Sequence, residues 1–256
     1  MQLKTFTAAL LLFFFACNSS VSPSQVHQVP LNNDNPYPFI GSIPLPEGFE
    51  RIKSPENSFA AWLRNVHLKK DKAVYTYNGT LKQNQHAQFA VLDISVGKKD
   101  LQQCADAVMR LRAEYLFGQE KYNEIIFRDN NGKAYRFEKP YNRNNFDAYL
   151  QQVFGMCGSA SLSKQLHTVE KFGDIAPGDV IIRGGFPGHA VIVIDVAINS
   201  NGTKIYLLAQ SYMPAQDIHI LINPANESSS PWYMVTAETI IETPEYSFNS
   251  TELKRW

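Results

Sequence analysis

The segment that most constrains the fold is 184–195, "GGFPGHAVIVID", where a loop of glycine and proline meets an apolar run. Residues 190–194 are all apolar and mostly β-branched, which predicts a strand inside a sheet with both faces covered. His189 is the first residue of this strand. It is either the base of an active site or a polar strand end bonded to a nearby carbonyl.

The second half of the chain is predicted to be an antiparallel meander, because apolar segments alternate there with short turns. Segments rich in apolar and β-branched residues in the first half predict further strands, two of them on either side of the turn "DNNG". A helical first half followed by a meander indicates an α+β fold with a helix packed on the sheet. The predicted strands span residues 73–79, 87–96, 123–128, 133–138, 180–183, 189–197, 204–212 and 217–222.

Three helices are predicted. "SPENSFAAWLRNV" begins with Ser54 as N-cap, and a third helix lies near 144–155. Between them, "KDLQQCADAVMRLRAEYLF" has a capping box formed by Asp100 and Gln103. Cys104 is then about one turn inside the helix, where the partial positive charge of the N-terminus still favours an anion.

The N-terminal "MQLKTFTAALLLFFFAC" has a basic residue and then a short apolar stretch, which predicts a secretory signal over residues 1–16. The junction before Cys17 resembles the lipobox of bacterial lipoproteins. This resemblance implies lipidation of Cys17 and a protein anchored in the bacterial cell envelope. No acidic run that resembles a surface-export signal follows Cys17, which favours the periplasmic side over the surface. Ordinary cleavage nearby, with free secretion, is the alternative.

Residues 17–38 are rich in serine, asparagine and proline and are predicted to be a flexible tether. One domain, 39–256, follows, and we expect it to be a monomer. The chain has 24 basic and 24 acidic residues, a balance that argues against nucleic acid as a partner. Contact with the membrane is expected through the lipid anchor only.

Two cysteines remain once Cys17 is set aside, and they allow three interpretations. Cys104 and Cys157 form a structural disulfide, or Cys104 is a buried inert residue, or it is a catalytic thiol. A free thiol with a pKa of about 8.5 is only slightly ionised at pH 7. If Cys104 is a catalytic thiol, we therefore expect the fold to lower its pKa.

Gln210 is predicted to share a sheet face with His189. If "NSNG" is a four-residue hairpin loop, Gln210 lies opposite Val191, a diagonal neighbour of the histidine within reach of its long side chain. If the turn is only Asn201-Gly202, Gln210 lies opposite Val193 and is too far away.

The strings "HAV" and "QSY" on successive strands resemble the papain-like cysteine peptidases, in which an amide residue follows the histidine strand. "QQCADAV" and "PGDV" are similar to the NlpC-type and CHAP-type branch, whose members often cleave peptide bonds in bacterial cell walls. The chain also resembles, over nearly its whole folded length, a family of bacterial envelope proteins known as a domain of unknown function.

The resemblance implies a papain-like fold in which the helix bearing Cys104 packs on the sheet bearing His189 and Gln210. Cys104 is then the nucleophile, His189 the base and Gln210 the orienting residue of a thiol amidase or peptidase. Its substrate is a peptide or a cell-wall fragment. The alternative is a non-catalytic module that binds a peptide or glycan on the same fold.

Other candidates are weaker. Gln103, like its neighbour Gln102, is a candidate oxyanion donor by adjacency, and His86 is a candidate cleft residue. Asp195 shares the face of the predicted base, and His219 is expected on an exposed face because it alternates with isoleucines. No cysteine or histidine spacing predicts a metal site, and no cofactor is expected.

Overall fold

The computed structural model describes residues 34–256, which form a mixed α+β fold. One large sheet dominates this part of the chain, and its paired strands are antiparallel. The α+β class and the antiparallel meander are therefore confirmed. The predicted signal 1–16, Cys17 and most of the predicted tether lie outside the described residues.

The helices are α1 Phe59–Arg64, α2 Cys104–Gly118, α3 Arg143–Met156 and α4 Ser159–Gln165; the strands are β1 Phe49–Arg51, β2 Gln88–Val91, β3 Ile126–Arg128, β4 Ala134–Arg136, β5 His167–Thr168, β6 Val180–Arg183, β7 His189–Asn199, β8 Lys204–Gln210, β9 His219–Leu221, β10 Tyr233–Met234, β11 Ile240–Glu242, β12 Ser247–Asn249 and β13 Leu253–Arg255. None of the helices described within 34–256 has the length and apolarity needed to cross a membrane.

The sheet has the strand order β2-β9-β8-β7-β6-β13-β5, with β1 also paired to β7 and β10 to β8. Two separate hairpins are β3-β4 and β11-β12.

Strand β7 lies in the interior of the sheet, as its sequence predicts. It pairs with β6 on one side and with β8 on the other. Ala190, Ile192 and Ile194 pack into the larger core, which α2 also lines. Val191 and Val193 point the other way, into a second core. Both faces of the strand are therefore covered, which accounts for its continuous apolar sequence.

The connection between β7 and β8 matches neither of the two predicted turns. Ile198 pairs with Lys204, so the register lies between those set by the four-residue and the two-residue turn. If this register continued, Gln210 would lie opposite Ile192 and would point away from the face of His189, because successive residues alternate between faces.

A β-bulge changes that outcome. The register shifts between Val193 and Asp195, so that Ile192 pairs with Ala209. A bulge adds one residue to one strand and so moves every later residue to the other face. Gln210 follows Ala209 and returns to the face of the histidine. The bulge, rather than the turn, brings the two side chains together.

Helix α2 begins later than predicted. Its N-cap is Gln103 and its first residue is Cys104. The predicted capping box at Asp100 is wrong, because Asp100 Oδ1 instead accepts a hydrogen bond of 2.7 Å from the backbone N–H of Ala215. Asp106 Oδ2 accepts from the N–H of Gln103 and completes a capping box one turn further on. Cys104 therefore lies at the very N-terminus of the helix.

Two more predictions for the first half need correction. Helix α1 is capped by Ser58 rather than by Ser54, since Ser58 Oγ accepts a hydrogen bond from the N–H of Ala61. Residues 73–79 form isolated bridges instead of a strand, and one of these bridges reaches Gln216. The segment is therefore attached to the edge of the fold near the end of β8.

The packed chain begins before the predicted boundary at residue 39. Asn35 is buried, and its Nδ2 donates hydrogen bonds to the backbone oxygens of Tyr37 and Lys69. Tyr37 stacks on Phe89, with ring centroids 5.8 Å apart. The last residues assigned to the tether are therefore part of the folded domain, because their polar and aromatic groups find partners within it.

Candidate active site

His189 and Gln210 are hydrogen-bonded where β7 begins and β8 ends. The imidazole Nε2 lies 2.8 Å from the amide Oε1, and both side chains are buried. With Oε1 as the acceptor, Nε2 carries the ring proton and Nδ1 does not. An imidazole in this tautomer has Nδ1 available to accept a proton.

The amide of Gln210 is oriented by a buried ion pair. Its Nε2 donates to Glu245 Oε2 at 2.8 Å, and the same oxygen accepts from Lys82 Nζ at 2.6 Å. Asn84 Nδ2 donates to the other oxygen of Glu245 at 3.2 Å. Because a carboxylate only accepts hydrogen bonds, it selects the amide orientation in which Oε1 faces His189.

Three aromatic rings surround the imidazole. The ring centroids of Tyr212, Tyr246 and Phe248 lie 4.7, 5.1 and 5.8 Å from that of His189. Rings at these distances displace water and lower the local dielectric constant, which strengthens the remaining polar interactions. Tyr212 is the aromatic residue of the "QSY" string.

Burial controls the ionisation of His189. Loss of solvation lowers the pKa of the imidazole to about 4. The hydrogen bond with Gln210 and the charge of Glu245 act in the opposite direction, while the charge of Lys82 lowers the pKa further. His189 is therefore neutral at pH 7.

Cys104 is half-buried at the first position of α2. Burial raises the pKa of its thiol to about 11, and the charge of Asp106 raises it further. The backbone amides of Ala105, Ala190 and Cys104 itself act in the opposite direction. The expectation of a lowered pKa is therefore not met, because desolvation outweighs the helix N-terminus.

The thiol and the imidazole share neighbours. Ala190, whose amide acts on the thiol, follows His189 in the chain. The pKa of Tyr212, whose ring contacts the imidazole, is raised mainly by burial and also by the charges of Glu245 and Cys104. Within residues 34–256 no hydrogen bond joins Cys104 to His189, and at pH 7 both groups are neutral.

The loop before His189 packs closely on α4. A Cβ at Gly188 would lie 2.3 Å from the oxygen of Gly185 and 2.6 Å from Ser159 Oγ, so only glycine fits there. Phe186, in the same loop, is 99% exposed. The glycines therefore allow a tight turn that exposes the side chain of Phe186 to solvent, three residues before the histidine.

Asp195 has a structural role. Its two carboxylate oxygens accept from Arg51 Nε at 2.6 Å and Arg64 Nε at 2.7 Å, and the carboxylate is fully buried. These arginines belong to β1 and α1, so the charge joins two elements to β7. Asp195 makes no contact with the candidate site in the described part of the chain.

Gln103 and His86 are also placed outside the hydrogen-bonded network. The side chain of Gln103 donates to Asp100 Oδ1 at 3.1 Å, in the segment before α2. His86 is exposed in the turn before β2. Gln102, the other oxyanion candidate, is buried and accepts from Arg110 along α2, outside the network of His189.

The prediction of an exposed His219 is wrong. This residue is fully buried in β9, directly opposite Gln210, and its Nδ1 lies 2.9 Å from the oxygen of Asp217. The alternation with isoleucines suggested one solvent-exposed face, but all three residues of β9 are buried, so both faces of the strand are covered. Burial lowers the pKa of His219 to about 3.

Sequence reasoning also missed Lys82 and Glu245. They lie on connections far apart in the chain, and no spacing links them to Gln210. Glu245 stands three residues before Phe248, and only the fold shows that this segment covers the imidazole.

Cys157 follows α3 and is a free thiol, as is Cys104. The two are not joined by a disulfide bond. Burial raises the pKa of Cys157 to about 11, with a further contribution from Asp106. Among residues 34–256 no cluster of three or more histidine, cysteine or acidic side chains is arranged to hold a metal ion.

These observations define the class: a mixed α+β domain with a large antiparallel sheet, in which a buried histidine and a buried glutamine are hydrogen-bonded. The chain belongs to the family described as a domain of unknown function (4846), whose model matches residues 41–142 and 135–255. No curated protein and no solved structure matches the chain.

Proposed function

We propose that the protein is a thiol hydrolase of peptide or amide bonds, on a papain-like fold, with Cys104 as nucleophile, His189 as base and Gln210 as the orienting residue. The observation that carries the proposal is the 2.8 Å bond between His189 Nε2 and Gln210 Oε1. It leaves Nδ1 unprotonated, as the base of a thiol nucleophile requires.

The reaction starts from a neutral pair, because the thiol and the imidazole are both uncharged at pH 7. Sγ forms a bond to the carbonyl carbon of the substrate while its proton moves to His189 Nδ1. The imidazolium then gives this proton to the amine nitrogen as the C–N bond breaks, so that the amine leaves and the acyl group stays on Sγ as a thioester. Water, deprotonated by His189, hydrolyses the thioester and restores the thiol.

The substrate we propose is a peptide or amide bond in cell-wall material. Its support is the resemblance of "HAV", "QSY" and "QQCADAV" to the NlpC-type and CHAP-type enzymes. In the same proposal the protein is a lipoprotein of the bacterial envelope, anchored at Cys17, with its domain on the periplasmic side. Cys17 lies outside the described residues.

A second candidate function is a non-catalytic module that binds a peptide or glycan. The raised pKa of Cys104 and the lowered pKa of His189 favour this alternative, because together they oppose an ion pair of thiolate and imidazolium. The two candidates differ in one property: only the hydrolase needs His189 to increase the reactivity of Cys104.

Alkylation by iodoacetamide, resolved for each cysteine by mass spectrometry, tests the proposal. Cys157 is an internal reference, because burial raises the pKa of both thiols to about 11. We expect Cys104 to react faster than Cys157 from pH 6 to pH 8, and we expect His189→Asn to remove the difference. Equal rates, or an excess that survives His189→Asn, would reject the hydrolase and favour the binding module.

A further inference from the structure

A cavity of about 640 Å³ opens beside the candidate site. This volume is in the range of pockets that hold small ligands or parts of larger substrates. Two connections and one acidic residue form its walls. They are residues 76 and 80–84, residues 212–214 and 216, and Glu245.

The cavity shares two residues with the network around the imidazole. Tyr212 lines it and also packs against His189. Glu245 lines it and also holds the amide of Gln210. A molecule that filled the cavity would therefore contact Tyr212 and Glu245, the two residues through which the cavity meets the network of the proposed base.

The charges of the cavity wall cancel. Among the lining residues that the structure describes, Lys82 and Glu245 alone are charged, and they are bonded to each other at 2.6 Å. Lys82 is 7% exposed, and burial lowers its pKa. An ionic ligand would have to compete with this pair for its counter-charge, so the wall favours a neutral ligand.

Gln216 supplies an unused donor. Its side chain is only 2% exposed, and its Nε2 has no hydrogen-bond partner among the described residues. Buried donors nearly always have partners, so one without a partner in a cavity wall indicates the position of a ligand acceptor. Nε2 itself has almost no accessible surface in the observed orientation, so a half-turn rotation of the amide, which exchanges Nε2 with Oε1, is needed to present the donor to a ligand.

The rim is apolar. Leu81 and Met213 line the cavity and are 58% and 57% exposed. Their side chains offer apolar surface that a ligand in the cavity would cover. The ligand should therefore combine a neutral acceptor with an apolar flank.

We propose that this cavity binds a neutral carboxamide group of the substrate, with its carbonyl oxygen accepting from Gln216. The assignment rests on the proposed function, since it treats the cavity as the substrate side of the thiol site. The same chemistry occurs in the backbone of a peptide and in the acetamido group of an amino sugar. Binding experiments separate these two sources.

The test uses the full chain with Cys104→Ser, which cannot turn over a substrate. It is titrated with N-acetylalanine N-methylamide, with N-acetylglucosamine and with acetate, and binding is followed by NMR, including the side-chain amide of Gln216. We expect one or both carboxamides to shift this resonance and acetate to leave it unchanged. The compound that binds identifies the source. No shift with either carboxamide, or an equal shift with acetate, would overturn the proposal.

A matched pair of variants, each added to Cys104→Ser, sharpens the test. We expect Gln216→Leu to weaken carboxamide binding about fivefold to tenfold, the loss of one hydrogen bond. Gln102→Leu is the control, because Gln102 is also buried with an unpartnered Nε2 but does not line this cavity. Equal weakening by both variants would contradict the role of Gln216. If Gln216→Leu does not fold, the shift of the Gln216 amide in Cys104→Ser decides.

Failure of this inference is distinct from failure of the proposed function. Binding is measured without turnover, whereas the hydrolase is tested by the reactivity of Cys104. A reactive Cys104 in a protein that binds no carboxamide rejects the cavity assignment alone. Carboxamide binding with an unreactive Cys104 rejects the hydrolase and leaves a binding site.

Discussion

At the scale of single residues, the orientation of one amide decides what the candidate base can do. The two ends of a glutamine amide differ only in being donor or acceptor, and the neighbours choose between them. Here Glu245 accepts from Gln210 Nε2 and so directs Oε1 to His189. The ion pair with Lys82 therefore affects the tautomer of an imidazole that it does not touch.

Replacing Glu245 by glutamine tests this dependence. The new amide at position 245 can donate as well as accept, so the amide of Gln210 can rotate by half a turn and present its NH₂ group to His189 Nε2. Nδ1 then carries the proton and is no longer a base. If the hydrolase proposal holds, we expect Glu245→Gln to slow alkylation of Cys104 about tenfold relative to Cys157, the value of one hydrogen bond.

Asp147→Asn is the control for this prediction. It also removes a carboxylate from an ion pair, with Arg143 at 2.9 Å, but the two side chains are 46% and 45% exposed. The ratio of the two alkylation rates should stay at its wild-type value. An unchanged ratio in Glu245→Gln as well would show that Glu245 does not position the amide.

At the scale of elements, the alternation of side chains along the two strands predicted the β7-β8 hairpin only in part. Alternation placed Gln210 on the face of His189, and the two residues are in contact. Neither predicted turn forms, however, and the actual turn would have put Gln210 on the wrong face without the bulge after Val193. A bulge depends on packing against neighbouring strands, so the local sequence does not reveal it.

Asp195 provides a prediction at the same scale, because it connects β1 and α1 to β7. Asp195→Asn would leave Arg51 and Arg64, whose side chains are 23% and 16% exposed, without their counter-charge. We expect a loss of roughly 3 kcal/mol in the free energy of unfolding, measured with urea. Asp147→Asn, at an exposed pair with Arg143, should lose less than about 1 kcal/mol.

The same variant tests whether Asp195 belongs to the site. Under native conditions the ratio of alkylation rates of Cys104 and Cys157 should match that of the wild type, because Asp195 makes no contact with His189 in residues 34–256. A changed ratio in protein that is still folded would restore Asp195 as a functional residue.

At the scale of the whole molecule, the sequence predicted what depends on local pattern and missed what depends on tertiary contacts. The α+β class and the central β7 follow from apolar runs. The start of α2 was misplaced because Asp100 bonds to Ala215, 115 residues away. Lys82 and Glu245 had no signal, since connections from distant parts of the chain bring them together. The raised pKa of Cys104 follows from burial, which the helix position alone does not predict.

Two buried histidines predict that the fold is sensitive to acid. His189 and His219 are 3% and 0% exposed, and burial lowers their pKa values to about 4 and about 3. In the unfolded chain both titrate near 6.5. Below that pH the unfolded chain binds protons that the folded protein does not, so stability falls as the pH falls from about 6.5 towards 4.

His219→Gln measures this effect for one site. The free energy of unfolding of each protein at pH 7 is the reference for its loss at lower pH. Between pH 7 and pH 4.5 we expect the wild type to lose roughly 2 to 3 kcal/mol more than His219→Gln, which has no imidazole to protonate at this position. Urea unfolding at both pH values gives the two losses. His86→Gln is the control, because His86 is exposed and should leave the wild-type loss unchanged. Equal losses in the wild type and His219→Gln would mean that His219 is solvated or already protonated in the folded protein, contrary to its complete burial between β2 and β8.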